Sequence, residues 1–287
     1  MARRALVLGG GGPVGIAWES GIVAGLEQNG VVVGAADLIV GTSAGSVVGS
    51  QLALGRSGTE LLATQLAEMP RAPQSAAAPA APPDLGPLMQ LMMARPAEGE
   101  MPVATRVEIG KLALRAKTAL DESSFVAGFG RLINASHWPE KFVCTAIDAL
   151  DGSFHRWDKG AGVELGRAVA SSCAVPGIFP PIEIKGRRYY DGGIRSATNS
   201  DLANGCDRVL VVAVMSKLMP EAYRQRLEAE LAGVRASGAK TALIVPNAEC
   251  LELFGINLMD SSKRAEIARA GERQGRAEAS RLSEFWN

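Results

Sequence analysis

The sequence predicts an α/β fold in which a mainly parallel sheet is covered by helices. Within the first 55 residues, two short apolar runs alternate with two segments of helical periodicity. Such alternation is typical of a parallel sheet, because parallel neighbours need a crossover connection, usually a helix. The segment 208–215 is apolar along almost its whole length, which indicates a strand buried on both faces.

The remaining elements follow from periodicity and from glycine, proline and Asn/Asp stop signals. Asp151-Gly152 and Lys185-Gly186 are predicted hairpin turns. We interpret the last helix as mostly a solvated surface, with partner binding as the minor alternative. Predicted strands are 4–8, 37–40, 142–150, 153–157, 183–184, 187–190, 208–215 and 241–245; predicted helices are 16–29, 43–54, 58–69, 105–118, 121–134, 165–173, 221–237 and 261–284.

We expect one domain over 1–287, because 47% hydrophobic residues can fill a sizeable core. The segment 70–102 holds eight of the fifteen prolines and is predicted to be an insertion or lid. Its methionine-rich part, 85–93, is either a helix packed on the core or a mobile cap over an apolar site. A C-terminal helical segment, 261–287, completes the domain.

Composition narrows the classes of partner. Thirty basic and thirty acidic residues give no net charge, which argues against a nucleic-acid partner. Cys144, Cys173, Cys206 and Cys250 have no metal-ligand or Cys-x-x-Cys spacing, so we expect buried thiols and no metal site. No apolar run is long enough for a membrane span. We therefore expect a cytoplasmic protein, with its oligomeric state open.

Gly41-Thr42-Ser43-Ala44-Gly45 follows the second predicted strand and opens a helix. This Gly-x-Ser-x-Gly pattern is typical of a nucleophile elbow, in which a serine sits on a tight strand-to-helix turn. The alternative is a small-residue turn where strand and helix pack closely. Ser43 is the candidate nucleophile, since the helix that follows directs its N-terminal amides towards the space in front of the serine.

A serine nucleophile needs a base, and the two histidines are poorly placed to supply one. His137 and His155 are the only histidines and none follows residue 155, whereas an α/β-hydrolase has its histidine late in the chain. We expect structural or surface roles for both. A carboxylate is then the remaining candidate for the base. Asp191 directly follows a predicted strand and is itself followed by two glycines. An ordinary Asp-Gly-Gly turn is the alternative.

The run Gly9–Gly12 lies at the end of the first predicted strand, next to the strand that carries Ser43. The backbone N–H groups of Gly10, Gly11 and Gly12 could hold an oxyanion. A tight turn is one alternative, and a dinucleotide-binding loop is another. The dinucleotide interpretation needs an acid at the end of the second strand, whereas Asp37 begins that strand. We expect no cofactor.

Taken in order, these motifs resemble those of the patatin-like phospholipase family. The matching residues are Gly10–Gly15, Gly41–Gly45 and Asp191–Gly193, together with Ala170–Pro181, which resembles the family's approach to its aspartate. The resemblance spans about residues 4 to 215, except for the 70–102 insertion.

The resemblance implies a three-layer α/β/α sandwich and a Ser43–Asp191 dyad without histidine. It implies hydrolysis of lipid acyl esters through an acyl-serine intermediate, with Gly10, Gly11 and Gly12 as the oxyanion hole. A lipid or acyl-ester substrate and peripheral contact with a membrane are expected. Val14 stands where the family usually has Arg or Lys, which favours a neutral ester or thioester over a phospholipid. A lipid-binding or regulatory protein with little turnover is the alternative function.

Overall fold

A computed structural model describes residues 2–68, 86–93, 100–215 and 221–287. Its sheet has the strand order β5-β6-β3-β2-β1-β7-β8, with β4 paired to β3. The strands are β1 Arg4–Leu8, β2 Leu38–Gly41, β3 Phe142–Asp148, β4 Phe154–Trp157, β5 Ile182–Ile184, β6 Arg187–Asp191, β7 Arg208–Val212 and β8 Lys240–Ile244.

The centre of this sheet is parallel and one side of it is antiparallel. β1 runs parallel to β2 and β7, β2 to β3, and β7 to β8. The hairpins β3–β4 and β5–β6 are antiparallel, and β6 is antiparallel to β3. The predicted parallel core and both hairpins are therefore confirmed.

Helices cover both faces of the sheet. Leu6 and Leu8 of β1 face one apolar cluster, and Ala5 and Val7 face another, because successive strand residues point to opposite faces. The three-layer sandwich is thus confirmed. The helices are α1 Gly12–Glu27, α2 Ala44–Ala53, α3 Gly58–Leu66, α4 Gly86–Met93, α5 Val103–Arg115, α6 Glu122–Ile133, α7 Leu165–Ser172, α8 Glu221–Ala236, α9 Ala248–Phe254 and α10 Arg264–Trp286.

The C-terminal helix α10 packs against α1, so its interpretation as mostly a solvated surface was wrong. A Cβ added at Gly21 or Gly25 of α1 would overlap the backbone of α10. A Cβ at Gly271 or Gly275 of α10 would likewise overlap α1. Two helices can approach this closely only where glycines face each other. Trp286, at the end of α10, is fully buried.

Only part of the predicted insertion 70–102 can be described, since 69–85 and 94–99 lie outside the described residues. Within it, α4 contains the methionine-rich patch. Leu88, Leu91 and Met92 pack against an apolar cluster that includes Ile109 and Tyr190. This packing agrees with the core-packing interpretation, and the lid role stays a prediction. No helix in the described ranges is long and apolar enough to cross a membrane.

Candidate active site

Ser43 lies on a strained turn between β2 and α2. Its φ is 50° and its ψ is −115°, a conformation that L residues rarely adopt and that is typical of a nucleophile elbow. A Cβ added at Gly41 would overlap Ser46, and one at Gly45 would overlap Leu8. The Ser43 side chain does not cap α2, although serine is common at this position. The hydroxyl is therefore not committed to the helix.

Strand β3 brings Asp191 towards Ser43. Gly41 of β2 pairs with Cys144, and Asp191 of β6 pairs with Ala146, two residues further along β3. Because β4 occupies the other edge of β3 at both positions, β2 and β6 share one edge and meet end to end. The last residue of each strand thus lies close to the last residue of the other.

The Asp191 carboxyl is buried, being 5% exposed. Burial raises its pKa to about 6, while the Gly193 N–H and the Ser43 hydroxyl act in the opposite direction. Oδ1 accepts the Gly193 N–H at 2.7 Å. The Ser43 hydroxyl is close enough to this carboxyl to lower its pKa by hydrogen bonding, and catalytic hydrogen bonds often tighten only when substrate binds. Asp191 can therefore be ionised at neutral pH and still be basic enough to take a proton.

The glycine loop lies against Ser43, as predicted, but its amides are not equivalent. A Cβ added at Gly10 would be 3.4 Å from the Ser43 Cβ. The Gly10 N–H donates to the Ala197 carbonyl at 2.8 Å. The amides of Gly11 and Gly12 have no acceptor among the described residues. Gly11 and Gly12 are therefore the loop positions with N–H groups free to meet a developing oxyanion.

The C-terminal end of α7 touches both halves of the site. The Ser43 N–H donates to the Ser172 hydroxyl at 3.0 Å. The Cys173 thiol lies 3.3 Å from the Ser43 carbonyl, which also accepts from the Ser46 hydroxyl at 2.6 Å. The Asp191 N–H donates to the Ala174 carbonyl at 3.1 Å. One short segment therefore holds the backbones of both residues.

Sequence reasoning missed Ser172 as a residue that positions Ser43. The stretch Ala170–Pro181 was singled out as a motif, so a signal existed, but nothing local indicated which side chain reaches the elbow. Asn199 was missed altogether, although it follows Asp191 by only eight residues. It contacts Thr42, directly before Ser43, at 3.0 Å.

Neither histidine takes part in the site. His137 is exposed in the loop before β3. His155 lies on β4, where its Nε2 is 3.0 Å from the Ser153 hydroxyl and its ring stacks on Trp157. Burial lowers the pKa of His155, with partial opposition from Asp148. These surroundings agree with the predicted structural and surface roles.

The interpretation of the glycine loop as a dinucleotide-binding loop also loses support. The Asp37 carboxylate accepts the Arg4 N–H at 2.7 Å, at the start of β2. Because β1 and β2 are parallel, this carboxylate lies at the edge of the sheet opposite the glycine loop.

Across the described ranges, no group of three or more His, Cys, Asp or Glu side chains could hold a metal ion. All four cysteines are buried free thiols.

Solved structures of bacterial proteins are similar to this chain at low sequence identity. VipD from Legionella pneumophila is 14% identical with a TM-score of 0.47, over 98% of this chain and 67% of that one. ExoU, solved in complex with SpcU from Pseudomonas aeruginosa, is 16% identical with a TM-score of 0.45, over 100% of this chain. This chain spans only 53% of the ExoU chain.

Curated proteins include none whose sequence matches this chain. The sequence profile of the patatin-like phospholipases matches residues 6–203. That match begins in β1 and contains the glycine loop, the elbow and Asp191. It covers more than two thirds of the 287 residues. The chain belongs to the patatin-like phospholipase family.

Proposed function

We propose that this protein is a serine acyl hydrolase that cleaves acyl esters of lipids with a Ser43–Asp191 dyad. One observation carries the proposal: a serine on a strained, glycine-flanked turn lies beside a buried carboxyl with a pKa of about 6. Membership of the patatin-like phospholipase family supports the substrate class. The reaction then needs only these two side chains, backbone amides and water.

In the first half of the reaction, the Ser43 Oγ attacks the acyl carbonyl carbon and its proton passes to Asp191. The tetrahedral oxyanion collapses, the ester C–O bond breaks, and the leaving alcohol takes the proton from Asp191. In the second half, Asp191 accepts a proton from water as its oxygen attacks the acyl-serine. Collapse of the second intermediate releases the fatty acid and returns that proton to the Ser43 oxygen.

The oxyanion would be stabilised by backbone N–H groups of the glycine loop, as expected from the resemblance. Gly11 and Gly12 are the stronger candidates, because the Gly10 N–H already donates to Ala197. The N-terminus of α2 adds its dipole at the same place, and the Ser43 side chain does not cap this helix. Donors that are already oriented stabilise the transition state at little reorganisation cost.

We further expect a neutral acyl ester or thioester to be preferred over an anionic phospholipid. Val14 replaces the cation that is usual at this position of the family's loop. Its side chain is 1% exposed and packs in the core, and its N–H donates to Leu258 at 3.2 Å. A cation here would have no place in the apolar cluster, so this loop offers no charge to a phosphate. Peripheral membrane contact and a cytoplasmic location stay predictions.

A fluorophosphonate probe tests the proposal, because it labels a serine only when that serine is activated. We expect labelling of the wild-type protein and none of the folded Ser43→Ala variant. Ser50→Ala is a matched control, since it removes a buried hydroxyl of α2 that donates to the Val47 carbonyl and not to Ser43. If the folded wild-type protein is not labelled and hydrolyses no ester, the proposal fails and the lipid-binding alternative takes its place.

A further inference from the structure

A buried group of polar residues lies directly behind the dyad. It consists of Thr42, Thr145, Gly192 and Asn199, and we call it the Asn199 cluster. The side chains of Thr42, Thr145 and Asn199 are fully buried. The Asn199 Nδ2 lies 3.0 Å from the Thr42 Oγ1, 3.3 Å from the Thr145 Oγ1 and 3.4 Å from the Gly192 carbonyl oxygen. Thr42 precedes the nucleophile and Gly192 follows the base.

The orientation of the Asn199 amide is set from outside the cluster. Its Oδ1 accepts a hydrogen bond from Arg195 at 2.9 Å. The same guanidinium is held by Asp201, at 2.8 and 3.0 Å, and by Glu100. Because Arg195 can only donate, the amide oxygen faces Arg195 and the NH₂ group faces the cluster. The two N–H groups are shared, with the shortest bonds to Ser196 at 2.9 Å and to Thr42.

The sheet by itself does not join the two ends that Asn199 touches. β2 and β6 both pair with β3, at positions two residues apart, and no ladder is formed between β2 and β6. The ends of these two strands are therefore joined only indirectly, through their separate pairings with β3, unless something else links them. The Asn199 cluster is such a link on one side, and the end of α7 is another.

We infer that Asn199 is a positioning residue for the Ser43–Asp191 dyad. Its amide holds the turn before Ser43 and the turn after Asp191 at a constant separation. Ser43 is strained at a φ of 50°, and strained conformations persist only where their surroundings over-determine them. The inference rests on the proposed function, because positioning has a measurable effect only if the dyad turns over.

The backbone at this residue determines which substitution is informative. Asn199 has φ 50° and ψ 41°, a left-handed conformation that asparagine and glycine adopt readily. Asn199→Gly therefore removes the amide without straining the backbone. Asn199→Asp keeps the size and the contact with Arg195 but replaces the NH₂ donor by a carboxylate oxygen.

The test measures kcat and KM for a soluble ester, p-nitrophenyl butyrate, with the full chain. We expect Asn199→Gly to lower kcat about 100-fold with KM unchanged, as small misplacements of reacting groups do. We expect Asn199→Asp to move the acid limb of the pH–rate profile upward, because a second negative charge near Asp191 disfavours its ionisation. A merely structural role would lower the melting temperature of Asn199→Gly and leave kcat of the folded protein at the wild-type value.

Thr198→Val is the matched control. The Thr198 hydroxyl donates to Glu230 at 2.7 Å, so this variant removes a partly buried side-chain hydrogen bond that does not reach the dyad, while the Thr198 carbonyl keeps its contact with Thr42. We expect it to lower the melting temperature while kcat stays at the wild-type value. If Thr198→Val loses as much kcat as Asn199→Gly, general loosening of this segment is the cause and the inference fails.

Ser43→Ala separates failure of this inference from failure of the proposed function. If Ser43→Ala is inactive but Asn199→Gly turns over like wild type, only the inference is overturned. If Ser43→Ala keeps the wild-type rate, both are overturned. Should Asn199→Gly fail to fold, Asn199→Asp and Thr42→Val decide, since each nearly preserves the shape of the side chain. Wild-type kcat in both of these variants overturns the inference.

Discussion

Asp191 and Glu19 are two buried carboxyl groups near the same edge of the sheet, and they differ in their hydrogen-bond donors. Asp191 is 5% exposed and Glu19 is fully buried. Asp191 accepts the Gly193 N–H and interacts with the Ser43 hydroxyl. Among the described residues, neither oxygen of Glu19 has a hydrogen-bond partner. Glu19 lies on α1 near the Gly9 amide, which itself donates to Val212.

The pKa of each group follows from this difference. Burial raises the pKa of Asp191 only to about 6, because the Gly193 N–H and the Ser43 hydroxyl limit the rise. Burial raises the pKa of Glu19 well above its ordinary value, and the Gly9 amide offsets this only in part. A buried carboxyl without donors stays protonated, because a bare charge is costly away from water. Burial alone thus makes a neutral acid, whereas burial with donors makes a base that works near neutral pH.

The largest expected effect is that of Asp191→Asn on turnover. We expect ester hydrolysis to fall by about 10²–10⁴-fold, the usual contribution of a general base. Glu19→Gln is the matched exchange at the other carboxyl, and we expect a near-normal rate because one neutral group replaces another. Both variants are assayed with the same soluble ester. Near-normal turnover by Asp191→Asn would mean that the base lies elsewhere.

The second largest expected effect is on the pH–rate profile, which should depend on Asp191 and not on Glu19. Only ionised Asp191 can take the serine proton, so kcat/KM should fall below about pH 6, by about tenfold per pH unit. Glu19→Gln should leave this limb unchanged. The measurement is kcat/KM against pH at constant ionic strength. A profile that stays flat well below pH 6 contradicts the assignment of Asp191 as the base.

A smaller effect is expected on folding stability. The Asp191 pKa is higher in the folded protein than the ordinary 3.8, so the folded state binds more protons than the unfolded state between these values. The penalty for ionised Asp191 is absent below about pH 3.8 and complete above about pH 6. It amounts to at most about 3 kcal/mol.

Asp191→Asn should therefore raise the free energy of unfolding above about pH 6, and this gain should vanish towards about pH 4. Urea unfolding at the two pH values measures it. Glu19→Gln should act in the same direction, because burial raises the pKa of Glu19 well above its ordinary 4.5, so the folded state also binds more protons than the unfolded state above about that pH. An Asp191→Asn variant that is less stable than wild type above pH 6 would contradict the cost of burying this charge.

The smallest effect on activity is expected for His155→Ala. His155 contacts Ser153, Trp157 and Tyr189 on the antiparallel side of the sheet, so its loss should lower the melting temperature slightly and leave kcat unchanged. Ser43→Ala provides the inactive baseline. A large loss of kcat in folded His155→Ala would reopen the possibility that a histidine, and not Asp191, serves as the base.

Several features could be predicted because they depend on neighbours in the chain. The elbow needs Gly41 and Gly45 close to Ser43, and the hairpins need glycine at Gly152 and Gly186, so short motifs indicate them. The bounds of β1, β2 and α2 agree with the prediction to within about a residue or two. The helix α9 was missed, although Asn247 is an N-cap signal and does accept the Cys250 N–H.

Other features could not be predicted because they join distant parts of the chain. The run of three glycines has three backbone N–H groups that look equivalent in the sequence. Only the folded structure brings the Ala197 carbonyl to the Gly10 N–H, which is then no longer available to an oxyanion. The charged surface of α10 suggested a solvated helix, yet its glycines determine how closely it approaches α1. Asn199 has no motif of its own, and its importance depends on the turns that meet around it.

The sequence by itself determined the kind of site: a serine on an elbow, a glycine loop beside it, and an aspartate at a strand end with no histidine to assist. These follow from local sterics and residue chemistry, which act over a few residues. The tertiary structure alone decided which amides stay free, what holds the two turns together and how basic Asp191 is. Those properties depend on the register of β2 and β6 on β3 and on burial, to which the whole chain contributes.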